Sequence, residues 1–221
     1  MKNLTLIIPA KKEKESLPSV LRELKKYKCK IHIIVARSDK TTINSIRKFK
    51  HKIIYQDQKG YGNALIKGIQ SVKSKYFCIF NADGSFNPIE LPRMFKLINL
   101  KKNDFIFASR YEKNCGTEDD TIITSIGNFA FTLIGKIFFN LNITDILYTF
   151  VMGDTKKVKK LNLRQNDFSF CVELPIKAKR NGMKSTTSKS YERRRIAGTK
   201  KVNAFKDGLL ILKHMIKLFF K

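Results

Sequence analysis

Short apolar runs alternate with segments of helical periodicity through about the first 110 residues. Leu4–Ile8 is the first run and ends at Pro9; Ser16–Tyr27 follows, with Leu17, Val20, Leu21 and Leu24 at helical spacing among charges. Ile31–Ala36 precedes a weaker, basic helical stretch over Thr41–Lys50, and Ile53–Tyr55 precedes Tyr61–Ser74, with Ala64, Leu65, Ile69 and Val72 apolar. Tyr76–Phe80 leads to Pro88–Leu100, where Leu91, Met94, Phe95 and Ile98 share a face; Asp104–Ala108 then ends in Ser109-Arg110-Tyr111. Alternating strands and helices predict a mostly parallel sheet with helices on both faces. At 221 residues and 43% hydrophobic content the chain can bury a full core as one domain.

Ligands of open α/β sheets bind beyond the carboxyl ends of the strands. Residues 76–88, Tyr-Phe-Cys-Ile-Phe-Asn-Ala-Asp-Gly-Ser-Phe-Asn-Pro, put Asp83 there, just past the fourth run. A carboxylate beside Gly84 suits a hard divalent cation, which is typically held by one or two carboxylates plus substrate phosphates. The plainer reading is an Asp-Gly turn. Ile79–Pro88 resembles the metal-binding motif of family 2 glycosyltransferases, usually Asp-Ala-Asp-Gly-Ser, with Asn81 in place of the first Asp and Asp83 retained. The resemblance implies Mg²⁺ or Mn²⁺ held by Asp83 and Asn81, with Ala82 beside the nucleotide sugar. An amide binds such a cation more weakly than a carboxylate, so metal binding is expected to depend on the substrate.

The resemblance extends along the chain. Pro9-Ala10-Lys11-Lys12-Glu13-Lys14-Glu15 is similar to the family's Pro-x-Tyr-Asn-Glu-x-Glu, which implies nucleotide contacts at Pro9, Ala10 and Glu13. On its own the stretch reads as a charged helix start. Val35 to Thr41 stands where the family has Val-Asp-Asp-Gly-Ser-x-Asp; the paired acids are Ala36 and Arg37 here, with Asp39 and Thr41 retained. Arg37 could instead contact a base or a phosphate. Lys59-Gly60-Tyr61-Gly62-Asn63-Ala64 lacks the third glycine of a dinucleotide fingerprint and follows the wrong strand. It resembles the family's Gly-x-Gly-x-Ala loop bordering the donor, implying Lys59 and Gly60 as donor contacts.

Ser109-Arg110-Tyr111 resembles Gly-Ser-Arg-Tyr, in which the Arg lies near an acceptor phosphate; the planar guanidinium fork suits that partner. Thr144-Asp145 with Thr149-Phe150 resembles Thr-Asp-x-x-x-Gly-Phe, implying Asp145 as the acceptor-side acid. Phe168–Leu174 resembles a Phe-x-x-x-x-Glu-Leu segment in which Glu173 reads as structural. Tyr191–Val202 resembles Arg-x-Gly-Gly-x-Ser-Lys-Val, keeping Arg195, Gly198 and Lys201. Arg195 and Lys201 would neutralise charge on a leaving diphosphate. A solvated basic run is the alternative.

Residues 121–152 are unusually apolar, which fits either a core helix pair or helices touching a bilayer and a lipid acceptor. The tail, residues 205–221, is amphipathic: Lys206, Asp207, Lys213, His214, Lys217 and Lys221 oppose Phe205, Leu209, Leu212, Ile216 and Phe219. A membrane-interfacial helix and a helix packed on the protein both produce that pattern. No uncharged apolar run of 18 residues marks a transmembrane helix. The net charge of +27 calls for an anionic partner or surface. Cys29, Cys78, Cys115 and Cys171 are too scattered for a metal knuckle, and without a leader pattern they suggest a reducing compartment.

Together the resemblance implies a glycosyltransferase A type nucleotide-binding α/β sandwich over residues 1–204 and an interfacial helix over 205–221. Nearest in look are polyprenyl-phosphate mannose or glucose synthases of the dolichyl type. These imply inverting transfer of a hexose from a nucleotide diphosphate sugar to a polyprenyl phosphate, at the cytoplasmic face of an anionic membrane. Alternatives are a cell-surface polysaccharide acceptor, a homologue weakened at Ala36, Arg37 and Asn81, and a basic nucleic-acid-binding protein. No nucleic-acid partner is expected, since no such motif is present.

Overall fold

The computed structural model describes residues 1–100 and 103–220. The first half follows the predicted alternation: β1 (Leu4–Ala10), α1 (Leu17–Leu24), β2 (Lys30–Ala36), α2 (Lys40–Ser45), β3 (Lys52–Gln56), α3 (Tyr61–Ser71), β4 (Tyr76–Ile79), α4 (Leu91–Leu100) and β5 (Phe105–Ser109). The second half adds β6 (Gly116–Thr117), α5 (Ile122–Phe139), β7 (Val151–Asp154), α6 (Thr155–Lys160), α7 (Phe170–Arg180), β8 (Ser185–Lys189), β9 (Tyr191–Glu192) and α8 (Ala204–Phe219). Seven strands form one sheet in the order β3-β2-β1-β4-β7-β5-β8, and β6 and β9 form a small ribbon. All neighbours in the large sheet are parallel except β7, which runs antiparallel between β4 and β5. The mostly parallel sandwich is therefore present.

Alternation along the strands assigns each side chain to one of two core layers. Leu4, Leu6 and Ile8 pack with Leu17, Val20, Leu21, Leu91 and Met94 on the α1/α4 side. Ile7, Phe77, Ile79 and Phe105 pack with Leu65, Ile69, Phe139, Val172, Ile176 and Met215 on the other. Burial on both faces makes the central strands continuous apolar runs.

The apolar stretch 121–152 is not a core helix pair. It is one helix, α5, followed by an irregular return whose Leu141, Ile143, Ile146, Tyr148 and Phe150 are buried. Thr121 and Thr124 cap the start reciprocally, and Asn140, at φ 51°, stops the helix in the left-handed region that Asn tolerates. Only Asn128, Gly135 and Phe139 of α5 are buried; Ile122, Ile126, Phe129, Leu133 and Ile137 face outward, Phe129 being 70% exposed. By length and composition α5 is long and apolar enough to cross a membrane, with Lys136 its single charge.

The tail helix α8 packs on α5 and α7. The buried side is not the one its amphipathicity picks out: Ile211, His214, Met215 and Leu218 are buried, whereas Phe205, Leu209, Leu212, Ile216 and Phe219 are exposed. His214 thus leaves the polar face to which the sequence assigns it. The helix has three sides: one in the core, one lysine-bearing, and one apolar and open beside α5. Lys221 lies outside the described residues.

Candidate functional site

The chain leaves β4 through Asn81 to Ser85. The Asp83 carboxylate accepts the Ser85 N–H (3.0 Å), so the plain turn exists. Gly84 has φ +86°, and a Cβ there would meet Ile196 Cδ1 at 2.5 Å. The turn is therefore covered, and its cover is the basic segment after β9. Ile196 N–H donates to the Asp83 carbonyl and Arg193 N–H to the Ser85 carbonyl, both at 2.8 Å. The Arg193 guanidinium donates to the carbonyls of Gly84 (2.9 Å) and Phe86 (3.0 Å) and grips Glu23 of α1 through both carboxylate oxygens (2.7 and 3.0 Å).

This strap brings the predicted cations to acids. Arg195 donates to both oxygens of Asp119 (3.0 and 2.6 Å) and lies 3.5 Å from Asp83. Lys201 Nζ donates to Glu13 (2.9 Å), whose other oxygen accepts from Ser16 (2.6 Å). Lys200 lies 3.5 Å from Asp120 and 3.9 Å from Asp119. Asp83, Glu13, Arg195 and Lys201, distant in sequence, thus meet at one mouth. Beside it is a cleft of about 270 Å³ lined by Lys12, Glu13, Thr41, Ala197 and Gly198, among others.

The ends of β1 and β2 form the neighbouring wall. Pro9 and Ala10 belong to β1 itself. Asp39 caps α2 through the Thr42 N–H (3.2 Å) and accepts the Lys12 N–H at 2.7 Å, tying the two strand ends together. Burial alone would raise the Asp39 pKa; these hydrogen bonds outweigh it and hold the carboxyl below its ordinary value. Ala36 ends β2, and Arg37 is exposed with its guanidinium 4.2 Å above the Tyr55 ring, a cation–π stack at the rim.

Two of the predicted site segments are engaged by the chain itself. The glycines of the 59–64 loop pack against the 165–167 backbone. A Cβ on Gly60 would lie 2.0 Å from the Asn166 carbonyl oxygen, and one on Gly62 would lie 2.1 Å from that of Gln165. The chain's own 165–167 backbone occupies that space, fixed by Glu173, which accepts the N–H groups of Arg164 and Gln165 at 2.9–3.1 Å. Gly60 thus allows the close approach of Asn166, and Lys59 is exposed next to it.

Arg110 is not a free phosphate clamp. Its Nε and Nη2 donate to Asp145 (2.7 and 2.9 Å), and Nη1 to Asp120 (3.0 Å) and Glu192 (2.9 Å), with all four side chains under 10% exposed. Burial alone would lower the Arg110 pKa; Asp145, Glu192 and Asp120 outweigh it and hold it above its usual value. Both Asp145 oxygens accept from Arg110, so Asp145 is paired rather than free. Arg110 and Asp145 together brace the start of α5, the 141–150 return and β9.

Among the described residues no three His, Cys, Asp or Glu side chains gather as a metal cage. What suits a hard cation is Asp83, one oxygen of which faces a cationic group, together with the amide of Asn81, whose Nδ2 donates to Ser85 Oγ (3.4 Å). Ala82 is buried beneath them. Asp119, Asp120, Glu192 and Arg193 are missing from the sequence prediction. Glu118-Asp119-Asp120 offered a signal: three successive acids in a chain with 18 acids against 45 bases.

Comparison with known proteins accords with this geometry. Residues 5–161 match the family described as Glycosyl transferase family 2. An uncharacterised protein of Methanocaldococcus jannaschii is 25% identical over 186 residues, 81% of this chain and 76% of that protein. Glucosyl-3-phosphoglycerate synthase of Mycobacterium tuberculosis, solved with Mn²⁺, UDP and glucosyl-3-phosphoglycerate, superposes with a TM-score of 0.77 at 9% identity, over 99% of this chain and 80% of that one. The same enzyme with Mg²⁺ and UDP gives 0.74 at 9% identity, with the same coverage. At such identity the likeness is one of fold.

Proposed function

Since the chain belongs to glycosyl transferase family 2 and is a glycosyltransferase drawing on a nucleotide sugar, we propose that it transfers a hexose, with inversion, to a polyprenyl phosphate at an anionic membrane surface. The observation that carries the acceptor is the open apolar face shared by α5 and α8. Ile122, Ile126, Phe129, Leu133 and Ile137 stand exposed beside Leu209, Leu212, Ile216 and Phe219, and Phe138 meets Phe219 edge-on at 5.7 Å. Lys136, Lys206, Lys213 and Lys217 lie on the same two helices and suit anionic headgroups. Exposed apolar patches of this extent mark interaction surfaces. The face begins at the site: Asp120, one residue before the α5 cap, holds Arg110. In this reading residues 205–221 are interfacial and the enzyme is a peripheral protein of the cytoplasmic side.

Asp83, helped by Asn81, would hold Mg²⁺ or Mn²⁺, which when bound neutralises the donor diphosphate. Arg195 and Lys201, now paired with Asp119 and Glu13, would neutralise the leaving phosphates. A phosphate acceptor is already ionised and needs no base, which fits an Asp145 consumed by Arg110; a sugar hydroxyl acceptor would need one. The fold neighbours act on phosphoglycerate, so a soluble phosphorylated acid is the competing acceptor. The test is transfer of labelled sugar, with Mn²⁺, to polyprenyl phosphate in anionic vesicles or to 3-phosphoglycerate. The proposal expects labelled lipid, none from Asp83→Ala; product from 3-phosphoglycerate alone refutes the lipid acceptor.

A further inference from the structure

Asn81 leaves the cation site one carboxylate short of the family pattern. We propose that Asp119, on the turn before α5, is the second carboxylate of that site, and that Arg195 takes the cation's place when none is bound. The inference rests on the reading of Asp83 as the metal-holding acid.

One guanidinium bridges the two acids. Arg195 Nε and Nη2 donate to Asp119 at 3.0 and 2.6 Å, while Nη1 lies 3.5 Å from Asp83. The two carboxylates therefore face each other across the width of a single planar cation. Their side chains are only 14% and 12% exposed. Two shielded like charges at that range need a cation between them. Arg195 is the cation that lies between them now, with Lys200 3.9 Å from Asp119 on the outside.

Asp119 is the one member of its acidic run with this aim. Asp120 is committed to Arg110, and Glu118 accepts from the Tyr191 hydroxyl (2.9 Å). Its backbone is also held firmly: Asp119 N–H donates to Thr117 Oγ1 (3.1 Å), and Glu118 N–H to the Glu192 carbonyl (3.0 Å), across the β6–β9 ribbon. A carboxylate on a fixed turn is preorganised to ligate. Arg195, three residues beyond β9, belongs to the covering strap. When Arg195 swings off the two acids it becomes available to the diphosphate that arrives with the cation. One movement then opens the cation site and supplies the phosphate clamp. Asp119 thus makes up for Asn81 from a different part of the chain, and the departure at Asn81 does not imply a dead site.

The test is loss of the free Mn²⁺ electron paramagnetic resonance signal, titrated with and without uridine, guanosine and cytidine diphosphates, alongside calorimetric nucleotide binding in EDTA. Asp119→Asn is expected to weaken nucleotide-supported Mn²⁺ binding by about tenfold or more. Adding Asn81→Asp should restore it. Arg195→Gln should tighten Mn²⁺ binding to the nucleotide-free protein, because a competing cation has gone. A merely structural Asp119–Arg195 pair predicts two destabilised variants with no opposite effects on Mn²⁺, so melting curves accompany each titration. Wild-type binding with Asp119→Asn unchanged overturns the inference alone. Wild type that takes up no Mn²⁺ with any nucleotide overturns the reading of Asp83 with it.

Discussion

Replacing Arg110 with Met keeps the unbranched stem of the side chain and removes the guanidinium with its charge. Three carboxylates, Asp120, Asp145 and Glu192, then share a site whose one nearby cation is the partly exposed Lys200, 3.5 Å from Asp120. Their side chains are between 0% and 9% exposed, so water cannot screen them. Removing one partner of a buried ion pair costs about 3–5 kcal/mol, a large part of the roughly 5–15 kcal/mol that holds a typical domain. In a chain of this size each kcal/mol moves the melting midpoint by about 2–4 °C, so the expected loss is roughly 6–20 °C. The loss carries a pH signature. Burial already lifts the pKa values of Glu192 and Asp145 above their ordinary range despite Arg110, and without Arg110 both rise further. Their charged forms then destabilise the fold above their unfolded pKa, so the deficit is largest near neutral pH and shrinks as pH falls and they protonate. Calorimetric melts of wild type and variant across pH 5–8 measure both effects. A variant melting within a degree or two of wild type, yet inactive, would refute the bracing role and return Arg110 to the acceptor phosphate.

Gly62→Ala places a methyl 2.1 Å from the Gln165 carbonyl and should cost about 1–3 kcal/mol as a backbone clash; an unshifted melt would mean the 165–167 segment is free to move. His32 is buried, and desolvation, with Lys52 and Lys30 adding to it, lowers its pKa from 6.5 to about 4. Its folded-state pKa is depressed, so its neutral form favours the fold above pH 6.5 and that contribution is lost as pH falls towards 4. His32→Gln should therefore flatten part of the acid limb of the stability profile, and an unchanged limb would exclude His32 as its source. Phe129→Glu combined with Leu209→Glu should lower binding to anionic vesicles by more than about a hundredfold, from the loss of two apolar insertions of about 1.5–3 kcal/mol each, with the melt unchanged. Undiminished co-sedimentation would place the membrane contact elsewhere.

The first half of the fold was legible because its strands are buried on both faces and read as plain apolar runs. Predicted and observed strands there agree to within about two residues at either end, from Leu4–Ala10 to Phe105–Ser109. β8 was not legible: Ser-Thr-Thr-Ser-Lys at the sheet edge carries no apolar pattern. The apolar arc of α8 is wider than one packing surface, so periodicity alone chose the open side and missed Ile211 and Met215. Motif order singled out Asp83, Glu13, Arg195 and Lys201, which the fold pairs across the strap because each sits near a strand end or on the strap that covers one. The same order could not show what surrounds Gly60 and Arg110, because their partners lie 35 to 106 positions away: Asn166 for one, Asp145 and Glu192 for the other. Three of the acids around Arg110 and Arg195 come from the turn before α5 and from β9, which no local pattern links.

The central claim, a metal-assisted nucleotide diphosphate site at Asp83, is tested most directly by melting the protein with uridine, guanosine, adenosine and cytidine diphosphates, each with and without Mn²⁺. A ligand that binds only the folded state adds about 2.7 kcal/mol at a hundred times its dissociation constant. The account predicts that at least one diphosphate raises the midpoint only when Mn²⁺ is present, and that Asp83→Ala abolishes the shift. A midpoint unmoved by every diphosphate, or a shift that survives both Asp83→Ala and removal of the metal, would contradict it.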